Sequence, residues 1–461
     1  MANENILATI VRHKYRELAH GDRAALPKRR RALYGFRNAL LRNGTRLILE
    51  CKRASPSAGI LRAGKSLAPV IDAYRGVADA VSVLTDARFF NGSLDDLAYV
   101  AARVNVPVLR KDFILDPVQV HEAHAFGADA ALLMLSVLDD DAWRDCAGAA
   151  RRLGLDVLTE VHDDAELERA LSLGAAIIGI NNRSFADLSV NLDVTRRLAR
   201  RVPADRVVVC ESGIHDHADA RALAPQVHAF LVGTSLMRAA RTDLAARELA
   251  FGEVKICGLT RAADARAAWQ AGARWGGLVF APGSPRRVDV DTAHDIVRAS
   301  PLPMVGVFAD ADPGFAAACA RELGLAAVQL HGNEAAACIQ ATRAALPATC
   351  ALWKAVREDD AMPFAADRLL FDGARPGSGV AFDWSRLPPA DAMARHGLAG
   401  GIHPGNIAAA RATGAGLLDV SSGVESAPGI KSPEKLAALF DAIRVAMRFP
   451  QAQQEKADAS A

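Results

Sequence analysis

Short apolar runs rich in β-branched residues alternate along the whole chain with longer amphipathic stretches. In the first half the runs fall near 47–51, 80–84, 106–109, 130–135, 156–161, 176–180, 207–210 and 229–232. In the second half they fall near 254–257, 277–280, 304–308, 327–330, 351–355, 369–371, 398–402 and 417–420. Continuous apolar strands separated by helices indicate a parallel sheet covered on both faces. Eight such units in each half predict two closed (β/α)8 barrels of the TIM type rather than open doubly wound sheets.

Length agrees with that pattern, since 461 residues are comfortable for two domains. The seam is expected between 238 and 253, with 241–249 as the last helix of the first barrel. That gives domains at 1–252 and 253–450, a short rigid joint, and a polar, disordered tail at 451–461. Residues 1–45 precede the first strand and form an extra helical extension.

The formal net charge of +2 gives no field that would suggest nucleic acid. The cluster Lys28-Arg29-Arg30-Arg31 reads as a solvated helix face, because no aromatic residues interleave with it. Seven cysteines lack the spacing of a disulfide framework or a zinc site. Cys51 and Cys210 lie in apolar runs and read as small buried residues. No signal peptide and no membrane-spanning run is seen. The expected setting is the cytoplasm, with no membrane partner.

Barrel enzymes work at the C-terminal ends of their strands. The first strand ends Glu50-Cys51-Lys52, and residues two apart share one face. An inward carboxylate and ammonium are costly to bury unless they pair or function, so the competing reading is a structural ion pair. The third strand delivers Lys111, the fifth Glu160, the sixth Asn181 and Arg183, and the seventh Glu211, Ser212 and Gly213. Two lysines and three glutamates around one mouth suit paired acid–base work. Ser55, Ser57, Ser212, Gly213, Gly233, Thr234 and Ser235 offer hydroxyls and free N–H groups, and phosphate sites in this fold follow the seventh and eighth strands.

The segments I-L-E-C-K-R-A-S-P-S (48–57), L-R-K-D-F (109–113), L-T-E-V (158–161), G-I-N-N-R (179–183) and E-S-G-I (211–214) resemble indole-3-glycerol-phosphate synthase across residues 1–250. The resemblance implies ring closure of carboxyphenylamino-deoxyribulose 5-phosphate with loss of carbon dioxide and water. It makes Lys111 the general acid and Glu160 the general base. It gives Glu50, Lys52, Asn181 and Glu211 to the substrate carboxylate, sugar hydroxyls and developing cation. It gives Ser212 and the 233–235 loop to the phosphate, and Arg183 to orientation. Ala58 stands where a lysine is common in that family, so no electrostatic role is carried to that position.

In the second half Lys255 and Cys257 share one strand face, and an ammonium beside a thiol favours the thiolate. The sixth strand ends at Asp372, followed by a Gly-rich loop, 373–379, that could close over the site. One base and one acid across a barrel mouth suit a proton-shuttling sugar isomerisation. Gly400-Gly401 and Ser421-Ser422-Gly423 fall after the seventh and eighth strands and form a second phosphate cradle.

The segments K-I-C-G-L-T (255–260), V-F-A-P-G-S-P-R (279–286), V-Q-L-H-G (328–332), F-D-G (371–373) and D-V-S-S-G-V-E (419–425) look like phosphoribosylanthranilate isomerase across 253–450. The turn Gly401-Ile402-His403-Pro404 is an imperfect match to the usual seventh-strand turn. The implied reaction is an Amadori rearrangement in which Cys257 takes the C2 proton and Asp372 protonates the ring oxygen. Arg286, or its neighbour Arg287, would pair with the anthranilate carboxylate. Gln329 and His331 would line the site, with a structural histidine as the alternative for His331.

His215 and His217 read as the start or cap of a helix rather than as metal ligands. No metal and no cofactor are expected. The partners implied are phosphosugar-anthranilate substrates, and a monomer is expected because fusion can stand in for oligomerisation. Two other classes compete with this reading. Two lysines in one mouth could serve a Schiff-base aldolase, against which the three glutamates argue. A degenerate phosphosugar-binding scaffold predicts eroded acid–base positions, whereas Lys111, Glu160, Cys257 and Asp372 all stand.

Overall fold

The computed structural model describes residues 6–20, 26–29, 31–57, 59–61, 66–357, 365–373 and 381–448. The chain divides into two compact units, Met1–Ala246 and Arg247–Ala461. Each contains one closed eight-stranded barrel, as the pattern predicts.

In the first unit the barrel strands are β1 (Arg46–Cys51), β2 (Ala80–Leu84), β3 (Val108–Lys111), β4 (Ala130–Met134), β5 (Asp156–Val161), β6 (Ile177–Asn181), β7 (Val207–Glu211) and β8 (Ala229–Val232). Every neighbour is parallel, and β1 closes the ring by pairing with both β2 and β8. Ile48, Leu109, Leu132, Leu158, Val209 and Leu231 belong to one buried cluster. Side chains alternate along a strand, so the residues two positions further on, Glu50, Lys111, Glu160 and Glu211, share that inward face. Apolar layers therefore fill the barrel and polar residues crown it.

Helices start where short acidic side chains satisfy free backbone donors. Asp139, Asp163 and Asp216 accept from Ala142, Glu166 and Asp219 N–H at the starts of three helices. Asp216 caps the helix that His217 opens, so His217 begins a helix as expected.

The extension supplies α1 (Ile6–His20) and α2 (Phe36–Leu40). Leu7, Ile10, Phe36 and Leu40 all join the barrel's buried cluster. Lys14 of α1 reaches Asp86 at 3.0 Å and Asp112 at 3.2 Å, beyond the C-terminal ends of β2 and β3. The first turn of α2 instead donates Arg37 N–H to Asp156, the first residue of β5, at 2.9 Å. One helix therefore lies at the mouth and the other at the floor.

The expected solvated helix face at 28–31 is corrected. Lys28, Arg29 and Arg31 lie in irregular chain, and Arg30 lies outside the described residues. Arg29 and Arg31 both pair with the buried Asp129, at 2.7 and 3.2 Å. Arg29 also donates to the carbonyls of His124 and Ala128, which ties the extension to the barrel wall. Cys51 and Cys210 are buried, as expected.

The second unit holds β9 (Glu253–Ile256), β10 (Trp275–Val279), β11 (Met304–Phe308), β12 (Ala327–Leu330), β13 (Ala351–Val356), β14 (Arg368–Phe371), β15 (Gly397–Leu398) and β16 (Leu417–Val420). Its closing pair, β9 with β16, sets Lys255 against Asp419. β15 is shorter than the apolar run at 398–402 suggests. Gly400 and Gly401 adopt φ of 79° and 68°, outside the extended region, and end the strand. At the floor, Glu253 takes two hydrogen bonds from Arg368 and one from Trp275 Nε1, all at 2.8 Å.

Three expectations fall on residues that are not described: Ala58, most of the 373–379 loop, and the tail at 451–461. Among the described residues no helix is long and apolar enough to cross a membrane.

Candidate active sites

The first cavity opens at the C-terminal end of the first barrel. Its wall carries every residue expected there: Glu50, Lys52, Ser55, Ser57, Lys111, Glu160, Asn181, Arg183, Glu211, Ser212, Gly213, Gly233, Thr234 and Ser235. Ile6 and Ile10 of α1 add an apolar flank.

Lys111 is the hub. Its Nζ lies 3.0 Å from Glu160 Oε2 and 3.1 Å from Glu211 Oε2. Glu160 Oε1 also accepts from Asn181 Nδ2 at 3.1 Å. Across the mouth, Lys52 Nζ pairs with Glu50 Oε1 at 2.6 Å. Space for these carboxylates comes from missing side chains. A Cβ on Gly179 would collide with Glu211 Oε1, and one on Gly233 with Glu50 Oε1. Gly179 sits beside Glu160 in the β5–β6 register, so the wall is hollowed where the acids gather.

The second cavity is lined by Cys257, Arg286, Gln329, His331, Asp372, Gly400, Gly401, Ser421 and Ser422. Two expected residues are not on this wall. Lys255 is fully buried. Gly423 packs against the turn after β15, where a Cβ would strike the Ile402 carbonyl.

Lys255 Nζ donates to Cys257 Sγ at 3.3 Å, Gln329 Oε1 at 2.7 Å and Asp419 Oδ2 at 2.9 Å. Gln329 Nε2 meets His331 Nδ1 at 2.9 Å. The far nitrogen of His331 lies 3.1 Å from Asp372 Oδ2. A hydrogen-bonded chain thus runs from the thiol through Lys255 and Gln329 to His331, whose far nitrogen stands near the Asp372 carboxylate without bonding to it.

Residues 5–249 match the family model of indole-3-glycerol phosphate synthase. Residues 254–442 match that of N-(5'phosphoribosyl)anthranilate (PRA) isomerase. The chain belongs to both families, one per barrel. It is similar along most of its length to the tryptophan biosynthesis protein TrpCF of Yersinia pestis, 46% identical over 89% of this chain and 87% of that one. The TrpCF proteins of Salmonella typhi (45%, covering 89% and 91%) and Vibrio cholerae (44%, covering 89% and 88%) match in the same way. The protein is therefore a bifunctional enzyme of tryptophan biosynthesis, with a synthase barrel first and an isomerase barrel second.

In the synthase barrel the two acids on Lys111 are driven apart. Burial pushes Glu211 up to about 7, helped by the nearby Glu160 and opposed by Lys111. Burial also raises Glu160, but Lys111, His162 and Asn181 outweigh it and leave this carboxyl below its ordinary value. One carboxylate is held ready as a base while its neighbour keeps a proton. Burial works against the charged form of Lys111, yet Glu160, Glu211 and Glu50 raise it well above the usual lysine range.

In the isomerase barrel Lys255 favours the Cys257 thiolate, as its place on the strand predicts, but burial opposes it more strongly. Burial dominates and pushes the Cys257 thiol above its ordinary value, and Lys255 and Lys431 offset only part of it. Arg286 uses its Nε and Nη2 edge on Glu425, at 2.9 and 2.8 Å. Glu425 in turn holds Lys431 at 2.7 Å.

Sequence reasoning missed three residues that shape these sites. Asn182 was quoted in its motif without a role. Its Nδ2 donates to the carbonyls of Glu211 and Ser212, and its Oδ1 accepts from Thr195. It thereby holds Ser212 at φ 63°, a conformation uncommon outside glycine. Asp419 and Glu425 were likewise quoted without a role; Asp419 meets Lys255 of β9, and Glu425 meets Arg286 from a turn far back in the chain and Lys431 six residues on.

Proposed function

We propose that Lys111 and Glu160 are the acid and base of the synthase, and that Cys257 and Asp372 are the base and acid of the isomerase. The catalytic units are 1–252 and 253–450. The isomerase barrel converts N-(5-phosphoribosyl)anthranilate to 1-(2-carboxyphenylamino)-1-deoxyribulose 5-phosphate. The synthase barrel closes that product to indole-3-glycerol phosphate, releasing carbon dioxide and water.

In the isomerisation, Asp372 gives a proton to the furanose oxygen as the ring opens to an imine. Cys257, as thiolate, takes the C2 proton, and the resulting enolamine settles to the ketone. His331 holds Asp372 in place through the 3.1 Å contact. Arg286 meets the anthranilate carboxylate with the guanidinium edge that Glu425 leaves open. Gly400, Gly401, Ser421 and Ser422 receive the phosphate with backbone N–H groups and hydroxyls.

In the synthase, Lys111 donates to the hydroxyl that departs as water, and Glu160 removes the ring proton that restores aromaticity. Glu50, Lys52, Asn181 and Glu211 hold the carboxylate and sugar hydroxyls, with Arg183 orienting the substrate. Ser55, Ser57, Ser212, Gly213 and the 233–235 loop surround the phosphate. The observation that carries this reading is the pairing of one ammonium with two carboxylates of opposed proton affinity. The protein acts as a monomer in the cytoplasm, with no nucleic-acid partner and no cofactor.

The test uses freshly prepared phosphoribosylanthranilate, following loss of its fluorescence and gain of indole absorbance. Cys257→Ala stops substrate loss, whereas Lys111→Ala stops only indole formation. Retention of indole formation by Lys111→Ala removes the acid from this scheme.

A further inference from the structure

Two residues after Glu160, at the end of β5, stands His162. Its backbone N–H and its Nδ1 both meet Glu166 Oε2, at 2.8 and 3.1 Å. One carboxylate oxygen holding both atoms fixes the ring plane and places a proton on Nδ1. Nε2 lies 3.4 Å from Glu160 Oε1. That nitrogen is buried and makes no hydrogen bond. The other face of the ring packs against Phe185, with centroids 5.1 Å apart and planes tilted by 56°. Glu160 and Phe185 both line the synthase cavity, and His162 stands behind them.

We propose that His162 is a positioning residue of the synthase, clamped by Glu166 behind the cavity wall, that sets the pH at which Glu160 is free to act as base. This rests on the reading of Glu160 as the base. The charged groups that act on the ring are all acidic: Glu166 from the following helix, Glu160 from its own strand, and Glu211 from β7. Lys111 lies on the far side of Glu160, bound to its other oxygen. Glu160 is the acid that carries the charge, since burial keeps the proton on Glu211, and positive charge on His162 adds to the hold of Lys111 on that carboxylate. Burial works against that charge, yet Glu166 and Glu160 hold the imidazole above its ordinary value.

The competing role is a staple that ties β5 to the following helix, and the two roles separate in a pH profile. The full-length chain is assayed for indole formation from purified 1-(2-carboxyphenylamino)-1-deoxyribulose 5-phosphate. Log kcat/KM is followed from roughly pH 2.5 to roughly pH 8, a range that reaches below the ordinary carboxyl value where Glu160 sits and reports groups of the free enzyme. His162→Gln keeps an amide donor without the charge. It moves the acid limb upward by about one pH unit, since an opposite charge at this distance shifts a carboxyl by about one unit or more. KM stays within about twofold and the plateau kcat within about threefold. Glu166→Gln moves the limb the same way by less, because it only weakens the proton on His162. A uniform loss of kcat at every pH, with the limb unmoved in both variants, reduces His162 to a staple and overturns the proposal. Glu160→Gln is run alongside: full activity there removes Glu160 as base, a failure distinct from an unmoved limb.

Discussion

Lys255 and Asp419 face each other across the seam that closes the second barrel, with Nζ 2.9 Å from Oδ2. Both are buried, so each exists as a charge only because of the other. The pair sets the ammonium under Cys257, and the chemistry of the mouth depends on it.

Asp419→Ala is expected to lower the stability of the isomerase barrel by about 3–5 kcal/mol, the usual cost of orphaning one member of a buried pair. Gln329 Oε1 would be the remaining oxygen partner of Lys255. Urea unfolding followed by tryptophan fluorescence reads the loss. A change below about 1 kcal/mol would mean that the ammonium sheds its proton instead.

Isomerase kcat/KM should climb with pH on the alkaline side of neutrality, because burial holds the Cys257 thiol above its ordinary value. Lys255→Met removes the nearest cation and moves that limb to still higher pH. A flat profile through this range would exclude a thiolate as the base.

Glu211 carries a stability cost that depends on pH. Its folded-state value is raised to about 7 by burial and Glu160, so the folded state holds a proton that the unfolded chain has released. Stability therefore falls as pH rises from the ordinary carboxyl value toward 7. Glu211→Gln is expected to abolish this decline, gaining on the order of a few kcal/mol at neutral pH while losing indole formation. Thermal unfolding at two pH values checks it, and an unchanged slope counts against the raised carboxyl.

Gly277→Ala places a methyl against Cys257 Sγ and its own Cα. The thiol must turn away, and isomerase kcat should drop at least about tenfold, since a misplacement of about 1 Å costs on the order of a hundredfold. The synthase rate of the same chain stays at the wild-type level. Equal loss of both rates would point to unfolding rather than to displacement of the sulfur.

Much of this architecture was legible because continuous apolar runs at regular intervals leave few folds to consider. Every polar residue placed at the first mouth lines it, since parity along a strand carries Glu50, Lys111, Glu160 and Glu211 to one side. What escaped depends on register between strands far apart in sequence. Nothing in the run 417–420 says that Asp419 will oppose Lys255. Nothing near Arg286 says that Glu425 will take its fork. The run at 28–31 misled because Arg29 and Arg31 answer to Asp129, about a hundred residues onward. Lys255 argued for a thiolate at Cys257 on adjacency alone, and only the depth of burial reverses that balance.

The placement of α1 at the mouth and α2 at the floor has a consequence for how the chain is born. Leu7, Ile10, Phe36 and Leu40 leave the ribosome ahead of every strand of their barrel, yet their buried cluster includes Ala229 and Leu231 of β8. The ring itself closes only when β8 reaches β1. These four side chains thus wait for some two hundred more residues before they find shelter, exposed for longer than the strands they cover.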